Sequence, residues 1–472
     1  MNEPRRRIHS VFSERQKKFS IIISSLVSFL APVSESIYYP AIGSLADDLD
    51  VSRSDINFTI TAFMIVQGVI PLFTGTISDR GGRRPVLLVC LSIYLIVNVG
   101  LALQTSFPAL TTLRCFQSIG SSGTTVVAIA TTSDLVTRAE RGKYMAYSSM
   151  GYTVGPALGP ILGGVLTRYL GWRSVFWFLA ILTAVIILVI LLFLRETCRA
   201  VVGNGSLLPQ PWNQPVLEVI RPHTYEKPDY DTRVSFPKGS VFLDSVRAVK
   251  TKAMGMLVLG GTLLFCGSIA VTSSIPALLE RKYGFDSLRI GLCYLPYAAG
   301  GIAARWTMGT LMDWNFRRHG RKVGVEVQRN QQTAQQLREI PLERVRLQLT
   351  LPLVYLSSIC MLGYGWIMNY DVHIAGPLVI LFLLGNANTA VNNSLNALIV
   401  DLNAYQPATA VAVTNLFKFL SGAGIVAGVL PLIDVVGIGW VGTIIAGFWC
   451  LISPLLWLLY VYGHEWRKIG DV

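Results

Sequence analysis

The chain has 472 residues, 52% hydrophobic and only 14% charged, with a formal net charge of +13. A soluble globular protein carries about 25% charged residues, so the composition argues against a soluble domain. The charges flank apolar runs long enough to cross a hydrocarbon core of roughly 30 Å as helices, and nucleic acid is not needed to explain the positive excess.

The basic stretch MNEPRRRIHSVFSERQKK opens the chain and lacks a cleavage pattern, so the first span is expected to be a retained signal anchor. Twelve spans are expected near 19–43, 54–76, 85–104, 108–131, 143–167, 172–194, 253–276, 288–311, 347–367, 375–399, 406–431 and 438–461. With both ends cytoplasmic, 31 of the 40 Lys and Arg fall in cytoplasmic segments and 6 in outer loops, as the positive-inside rule requires. The expected organisation is an all-α integral membrane protein. It has a cytoplasmic tail (1–18), a six-helix bundle (19–194), a linker (195–252), a second six-helix bundle (253–461) with a cytoplasmic loop at 313–346, and a cytoplasmic tail (462–472). The linker is rich in Pro and charge and is expected to be a mostly irregular, solvated connector. The loop carries RNQQTAQQLREIPLERVRL, read as a surface helix broken at Pro341. None of the seven cysteines forms a C-x-x-C pair, so neither a disulfide framework nor a metal site is expected.

Within the first span, APVSESIYYP (31–40) holds Glu35, the one ionisable group of its oily run. Helical rise puts it roughly 25 Å from Lys18 and 18 Å from Asp47, too far to snorkel. Three roles fit a carboxylate at that depth: a proton carrier, a substrate-binding group without coupling, or half of a structural pair with Arg114. Proton carriage is favoured, because burial raises a carboxyl pKa and a nearby arginine lowers it. Where the second span meets the cytoplasm, GTISDRGGRRP (75–85) supplies Gly75, Asp79, Arg80, Arg83 and Arg84. GTLMDWNFRRHG (309–320) repeats it 234 residues later through Gly309 and Asp313, with Trp314 and Phe316 in place of an Arg and a Gly. The glycines are expected to admit a neighbouring helix. The Asp and Arg residues are expected to form ion pairs made in one conformation and broken in another, with Asp134 a further partner for Arg83. The alternative is that the arginines only anchor topology.

In the fifth span, GYTVGPALGPILGG (151–164) spaces Gly151, Gly155, Gly159 and Gly163 four apart, lining one face with hydrogen alone, while Pro156 and Pro160 loosen the helix. It reads as a gating seam or as tight packing only. The tenth span aligns Asn388, Asn392 and Asn396 in one stripe, suited to a wet cavity or to helix–helix adhesion. Lys418 is mid-span in the eleventh. Arg305 in the eighth is close enough to its end to snorkel, and function and anchoring weigh equally for it. Tyr38, Tyr39, Tyr152 and Tyr297 would suit an amphipathic substrate.

Four stretches carry a family resemblance over nearly the whole chain: GTISDRGGRRP, LTTLRCFQSIGSSG (110–123) around Arg114, GYTVGPALGPILGG, and the linker start LRETCRAVVGNGSLLPQPWNQP (194–215). The sequence resembles the major facilitator superfamily, and within it the fungal twelve-span drug:proton antiporters related to quinidine-resistance and organic-acid exporters. The resemblance implies that the first and fourth spans are neighbours, making Arg114 the modulator of Glu35. It also implies that the fifth-span seam packs on the Gly-rich eleventh span. The function implied is proton-coupled efflux of a drug, toxin or secondary metabolite by alternating access. Alternatives are export of an organic acid and, less well supported, a nutrient:proton symporter; a membrane enzyme or sensor lacks any motif. Expected partners are a small-molecule substrate, protons and the bilayer. No cofactor is expected beyond the proton gradient, and the protein is expected to be a monomer in the plasma membrane, with the vacuolar membrane as the alternative.

Overall fold

A computed structural model describes residues 10–136, 141–220, 251–323, 341–370, 372–403 and 407–469, and among these the secondary structure is helical, with no strand. The helices are α1 (Glu14–Ser36), α2 (Ile42–Leu49), α3 (Arg53–Gly81), α4 (Arg83–Leu103), α5 (Phe107–Leu135), α6 (Arg141–Ser148), α7 (Met150–Leu170), α8 (Arg173–Phe193), α9 (Arg199–Val202) and α10 (Val216–Ile220). They continue with α11 (Lys252–Tyr283), α12 (Ser287–Cys293), α13 (Leu295–Val323), α14 (Leu342–Asn369), α15 (Ala375–Leu402), α16 (Pro407–Val436) and α17 (Ile438–Ile469). Among the described residues nine helical segments are long and apolar enough to cross a membrane, with α1 and α2 forming one of them. The expected fourth, fifth and eighth spans correspond to α5, α7 and α13. These have the length, but Gly, Ser, Thr and Arg dilute their hydropathy.

Local chemistry sets the helix ends that matter for the site. A capping box starts α1: the Ser13 hydroxyl accepts from the Gln16 N–H at 3.3 Å, and the Gln16 side chain accepts from the Ser13 N–H at 2.9 Å. The same helix stops just after Glu35. Pro40 has no N–H with which to continue the ladder, and the chain makes a 3-10 turn over Tyr39–Ala41 before α2. Gly82 separates α3 from α4 with φ +107°, a conformation that side chains rarely adopt.

The chain divides into two compact units, one of residues 1–38 and 69–239, the other of residues 39–68 and 240–472. The first has a core of Val27, Leu30 and Val33 from α1, Leu87 and Leu91 from α4, Val127 from α5, and Leu179 and Ile190 from α8. In the second, Gly365 and Gly442 let α14 and α17 cross with backbones nearly touching, and the buried Trp449 donates to the Leu263 carbonyl at 3.0 Å. Residues 39–68, expected to belong with the first bundle, group with this second unit. Tyr39 stacks on Tyr294 with centroids 5.9 Å apart, Arg53 pairs with Glu280, and the Thr61 hydroxyl donates to the Ala423 carbonyl at 3.2 Å.

Two connectors differ from expectation. Over 195–220 the linker is mostly irregular, as expected, with short helical pieces at Arg199–Val202, Pro211–Asn213 and Val216–Ile220, but it is not solvated: Glu196, Cys198, Asn213 and Glu218 are buried. Of the loop expected over 313–346, residues 313–323 are helical, because α13 runs straight through the repeated motif, and Leu342–Arg346 belong to α14. Residues 221–250 and 324–340, which include most of the expected surface helix, lie outside the described residues.

Candidate functional site

Glu35 lies in the last turn of α1, half-buried, where the helix gives way to the 3-10 turn. A helix C-terminus presents carbonyls without intrahelical donors. Here the Pro32 carbonyl accepts from the Ser36 hydroxyl at 2.8 Å, and the Ser34 carbonyl accepts from Arg114 Nη1 at 3.2 Å. Arg114 is fully buried in α5; its guanidinium lies over the Tyr38 ring at 4.2 Å and donates to Gln117 Oε1 at 2.6 Å. Gln117 passes the chain of hydrogen bonds to Asn98 at 2.7 Å, and Asn98 to the Tyr94 carbonyl at 2.7 Å. Tyr94 returns it to α1 through a hydroxyl contact with Ser34. The helices α1 and α5, expected as the first and fourth spans, are therefore neighbours here, and one arginine is fixed beside the peptide unit preceding Glu35.

The glycine face of α7 completes this neighbourhood. A Cβ at Gly155 would come 2.9 Å from Pro32 Cγ, and at Gly151, Gly159 and Gly163 it would collide with Ser25, Ser36 and Ile37. The Ser36 hydroxyl also donates to the Gly155 carbonyl at 3.2 Å, and the Gly151 N–H donates to the Ser25 hydroxyl at 3.1 Å. Within the first unit, the glycine face of α7 is thus packed on α1. Pro156 and Pro160 are accommodated within an unbroken α7.

At the junction of α3 and α4, Arg83 is buried and pairs with Asp134 at 2.9 Å and Asp79 at 2.5 Å, with a further bond to the Ser78 hydroxyl at 2.8 Å. Arg84 is buried too, donating to the Leu191 carbonyl at 3.2 Å, while Arg80 is exposed. A Cβ at Gly75 would make only an ordinary contact with Val126. The glycine that matters is Gly82. A Cβ there would come 2.6 Å from Glu196 Oε2, and no side chain of its own caps α4. The cap comes from the linker: the buried Glu196 carboxylate accepts from the backbone N–H of Arg83 at 2.9 Å and of Arg84 at 3.2 Å, and from Asn213 Nδ2 at 2.9 Å. It is an anion at a helix N-terminus, where it is favoured. Alongside it, Arg199 donates to the Asp134 carbonyl at 3.1 Å and the Cys198 thiol to the Asp79 carbonyl at 3.3 Å. Burial pushes the Cys198 thiol above its ordinary value.

The second copy of the motif is not built this way. Phe316 stands where Gly82 stands, so the helix does not break, and Arg317 and Arg318 are exposed along α13. Among the described residues nothing lies within 4 Å of a Cβ at Gly309, so that glycine admits no described neighbour. The ion pair is supplied from the far side of the loop: Arg346 in α14 meets Asp401 at the end of α15 at 3.0 Å, and its guanidinium lies 5.9 Å from the Phe316 ring. Asn315 Nδ2 ties α13 to the Val345 carbonyl at 2.7 Å. The available signal was the motif's own defect, together with an arginine near the start of α14, as Arg83 is at the start of α4.

Elsewhere in the second unit, Lys418 is buried at 5% exposure and donates to Asn392 Oδ1 at 3.0 Å and Asn396 Oδ1 at 3.4 Å. Asn388 instead binds the Ser268 hydroxyl at 2.9 Å, joining α15 to α11. The expected stripe therefore divides into one adhesive residue and two that hold a cation. Arg305 is exposed on α13.

The sequence model of the Major Facilitator Superfamily matches residues 24–428. The chain is 42% identical to the MFS-type transporter clz19 of Cochliobolus lunatus over 98% of its length and 88% of that protein. It is 31% identical to citrate exporter 1 of Aspergillus niger over 98% of its length and 89% of that protein. Among solved structures, the xylose transporter XylE of E. coli in a partially occluded inward-open conformation aligns with TM-score 0.66 at 15% identity, covering 93% of this chain and 97% of that one. The human organic anion transporter MFSD10 aligns with TM-score 0.61 at 18% identity, covering 94% and 100%. These two show the fold.

Proposed function

The chain belongs to the major facilitator superfamily, and on that footing we propose that it is a proton-coupled antiporter exporting a small organic compound by alternating access. In this reading it is a monomer with twelve spans, both termini in the cytoplasm, and a seat in the plasma membrane, with the vacuolar membrane as the alternative. The observation that carries it is Glu35, a half-buried carboxylate at a break in α1 beside a fully buried arginine. Broken helices near the midplane are where transporters of this kind gather ions and substrate. When the site opens to the acidic side, Glu35 takes up a proton; when it opens to the cytoplasm, Arg114 favours the carboxylate and the proton leaves. The exchange is energetically sufficient. A pH difference of two units sustains roughly a hundredfold gradient of a neutral solute per exchanged proton, at about 1.4 kcal/mol per unit.

The Arg83–Asp79–Asp134 cluster, capped by Glu196, serves in this reading as a latch that holds one conformation and opens in the other. Export as the direction is supported by the glycine-lined α7 and by the kinship with an exporter of Aspergillus niger. The test is efflux of a panel of drugs and carboxylic acids from deletion cells or proteoliposomes, with and without an imposed pH gradient. Gradient-stimulated export of a panel member is expected; uptake of labelled sugar or amino acid in its place would make the protein an importer.

A further inference from the structure

We propose that Lys418, with Asn392 and Asn396, forms the docking site for a carboxylate, so that the exported compound is an organic anion. The inference rests on the transport reading above and narrows its substrate class.

The lysine is placed deliberately. Its stem runs past Gly261, where a Cβ would come 3.3 Å from Lys418 Cε. Its ammonium is held by two neutral amide oxygens, at 3.0 and 3.4 Å. The ion pairs of the second unit among the described residues, Arg53–Glu280, Arg281–Asp434, Arg346–Asp401 and Arg467–Glu343, all involve other cations. An ammonium inside a membrane protein with only neutral acceptors is costly, and such groups mark substrate or ion paths.

The amides make the cluster directional. Each Asn spends its oxygen on the lysine, which turns its Nδ2 donors away from the ammonium, and among the described residues neither Nδ2 has an acceptor. An ammonium has three donors, of which the two oxygens use two. What remains is a set of donors only, carrying one positive charge. Asn392 and Asn396 are one helical turn apart and partly exposed, so both amides reach the same side of α15. A cationic or neutral solute would leave these donors unmatched. A carboxylate matches both their charge and their need for acceptors. Asn388 takes no part, since Ser268 occupies its amide.

The test is thermal unfolding of the purified protein in detergent, where neither a gradient nor a direction of transport enters. The probes are acetate, benzoate, succinate and citrate, their methyl esters, and tetramethylammonium, all at constant chloride. At least one carboxylate is expected to raise the unfolding midpoint while the esters and the cation do not. Lys418→Gln is expected to weaken the half-maximal concentration at least tenfold, and Lys418→Arg to retain the response. Asn392→Asp keeps the lysine but installs a resident carboxylate beside it; it is expected to raise the midpoint without ligand and to abolish the carboxylate response. This variant decides the matter should Lys418→Gln not fold. Stabilisation by esters or the cation instead, no response to any carboxylate, or a wild-type response in Asn392→Asp would overturn the proposal and leave Lys418 as a pin between α15 and α16. A protein that binds carboxylates but ignores a pH gradient would pass this test while failing the proton reading, so the two ideas fail separately.

Discussion

Arg346 meets Asp401 at 3.0 Å across 55 residues of sequence, and the pair holds the start of α14 to the end of α15. Its counterpart in the first unit is Arg83 with Asp134 at 2.9 Å, which holds the start of α4 to the end of α5. Both pairs sit one helix after a G-x-x-x-D segment, yet in the second unit the arginine comes from beyond the loop. The physical reason is one residue. A helix can be broken at Gly82 with φ +107°, whereas Phe316 keeps α13 helical to Val323.

Arginines in the two halves of the motif should therefore respond unequally to substitution. Arg317→Ala and Arg318→Ala, both on an exposed helix face, are expected to leave transport within about twofold of wild type, as surface changes of roughly 0.5 kcal/mol or less do. Arg346→Gln is expected to lower the transport rate at least tenfold, because it leaves Asp401 without its partner. Initial-rate efflux in cells with matched surface expression measures both.

Removing the linker's cap should release the linker. Glu196→Gln places an amide N–H₂ among backbone donors and is expected to cost about 1–3 kcal/mol. Its readout is Cys198. Burial holds that thiol above its ordinary pKa, which keeps it protonated and unreactive at neutral pH. In Glu196→Gln the thiol is exposed, its pKa falls toward the ordinary value, and maleimide labelling of Cys198 at pH 7 is expected to rise at least tenfold. Labelling no faster than in wild type would show that the cap does not hold the linker down.

Glycines of α7 and α16 should also part company. Gly159→Ala forces a methyl group onto Ser36 beside Glu35, and overpacking of this kind costs about 1–3 kcal/mol. Gly428→Ala meets nothing within 4 Å among the described residues and is expected to be neutral or stabilising by up to about 1 kcal/mol, since Ala is the better helix former. Thermal unfolding in detergent compares them, and a destabilised Gly428→Ala beside an unaffected Gly159→Ala would contradict the packing described.

Much of the architecture was legible because hydropathy and helix length are local properties. The apolar runs, the all-helical class and the Arg83–Asp134 contact could be anticipated from the residues, and the neighbourhood of the first and fourth spans from the family resemblance. What escaped was set by long-range packing. Nothing near Gly151–Gly163 says that the face meets α1. Nothing near Tyr38 and Tyr39 says that consecutive tyrosines part, one lying under Arg114 and the other stacking on Tyr294. The Glu196 cap bridges 113 residues to Arg83, and a Pro-rich, charged segment reads as solvated until its partner is known. Lys418 was visible as a buried cation, but only the structure shows which two of the three asparagines hold it.

The most direct measurement of the central claim compares wild type and Glu35→Gln in proteoliposomes, following gradient-driven efflux and counterflow of the same labelled substrate. Gln keeps the size of the side chain and cannot exchange a proton. The account predicts that Glu35→Gln loses efflux driven by an imposed pH gradient while counterflow without a gradient persists. Efflux by Glu35→Gln that still scales with the pH gradient would contradict it.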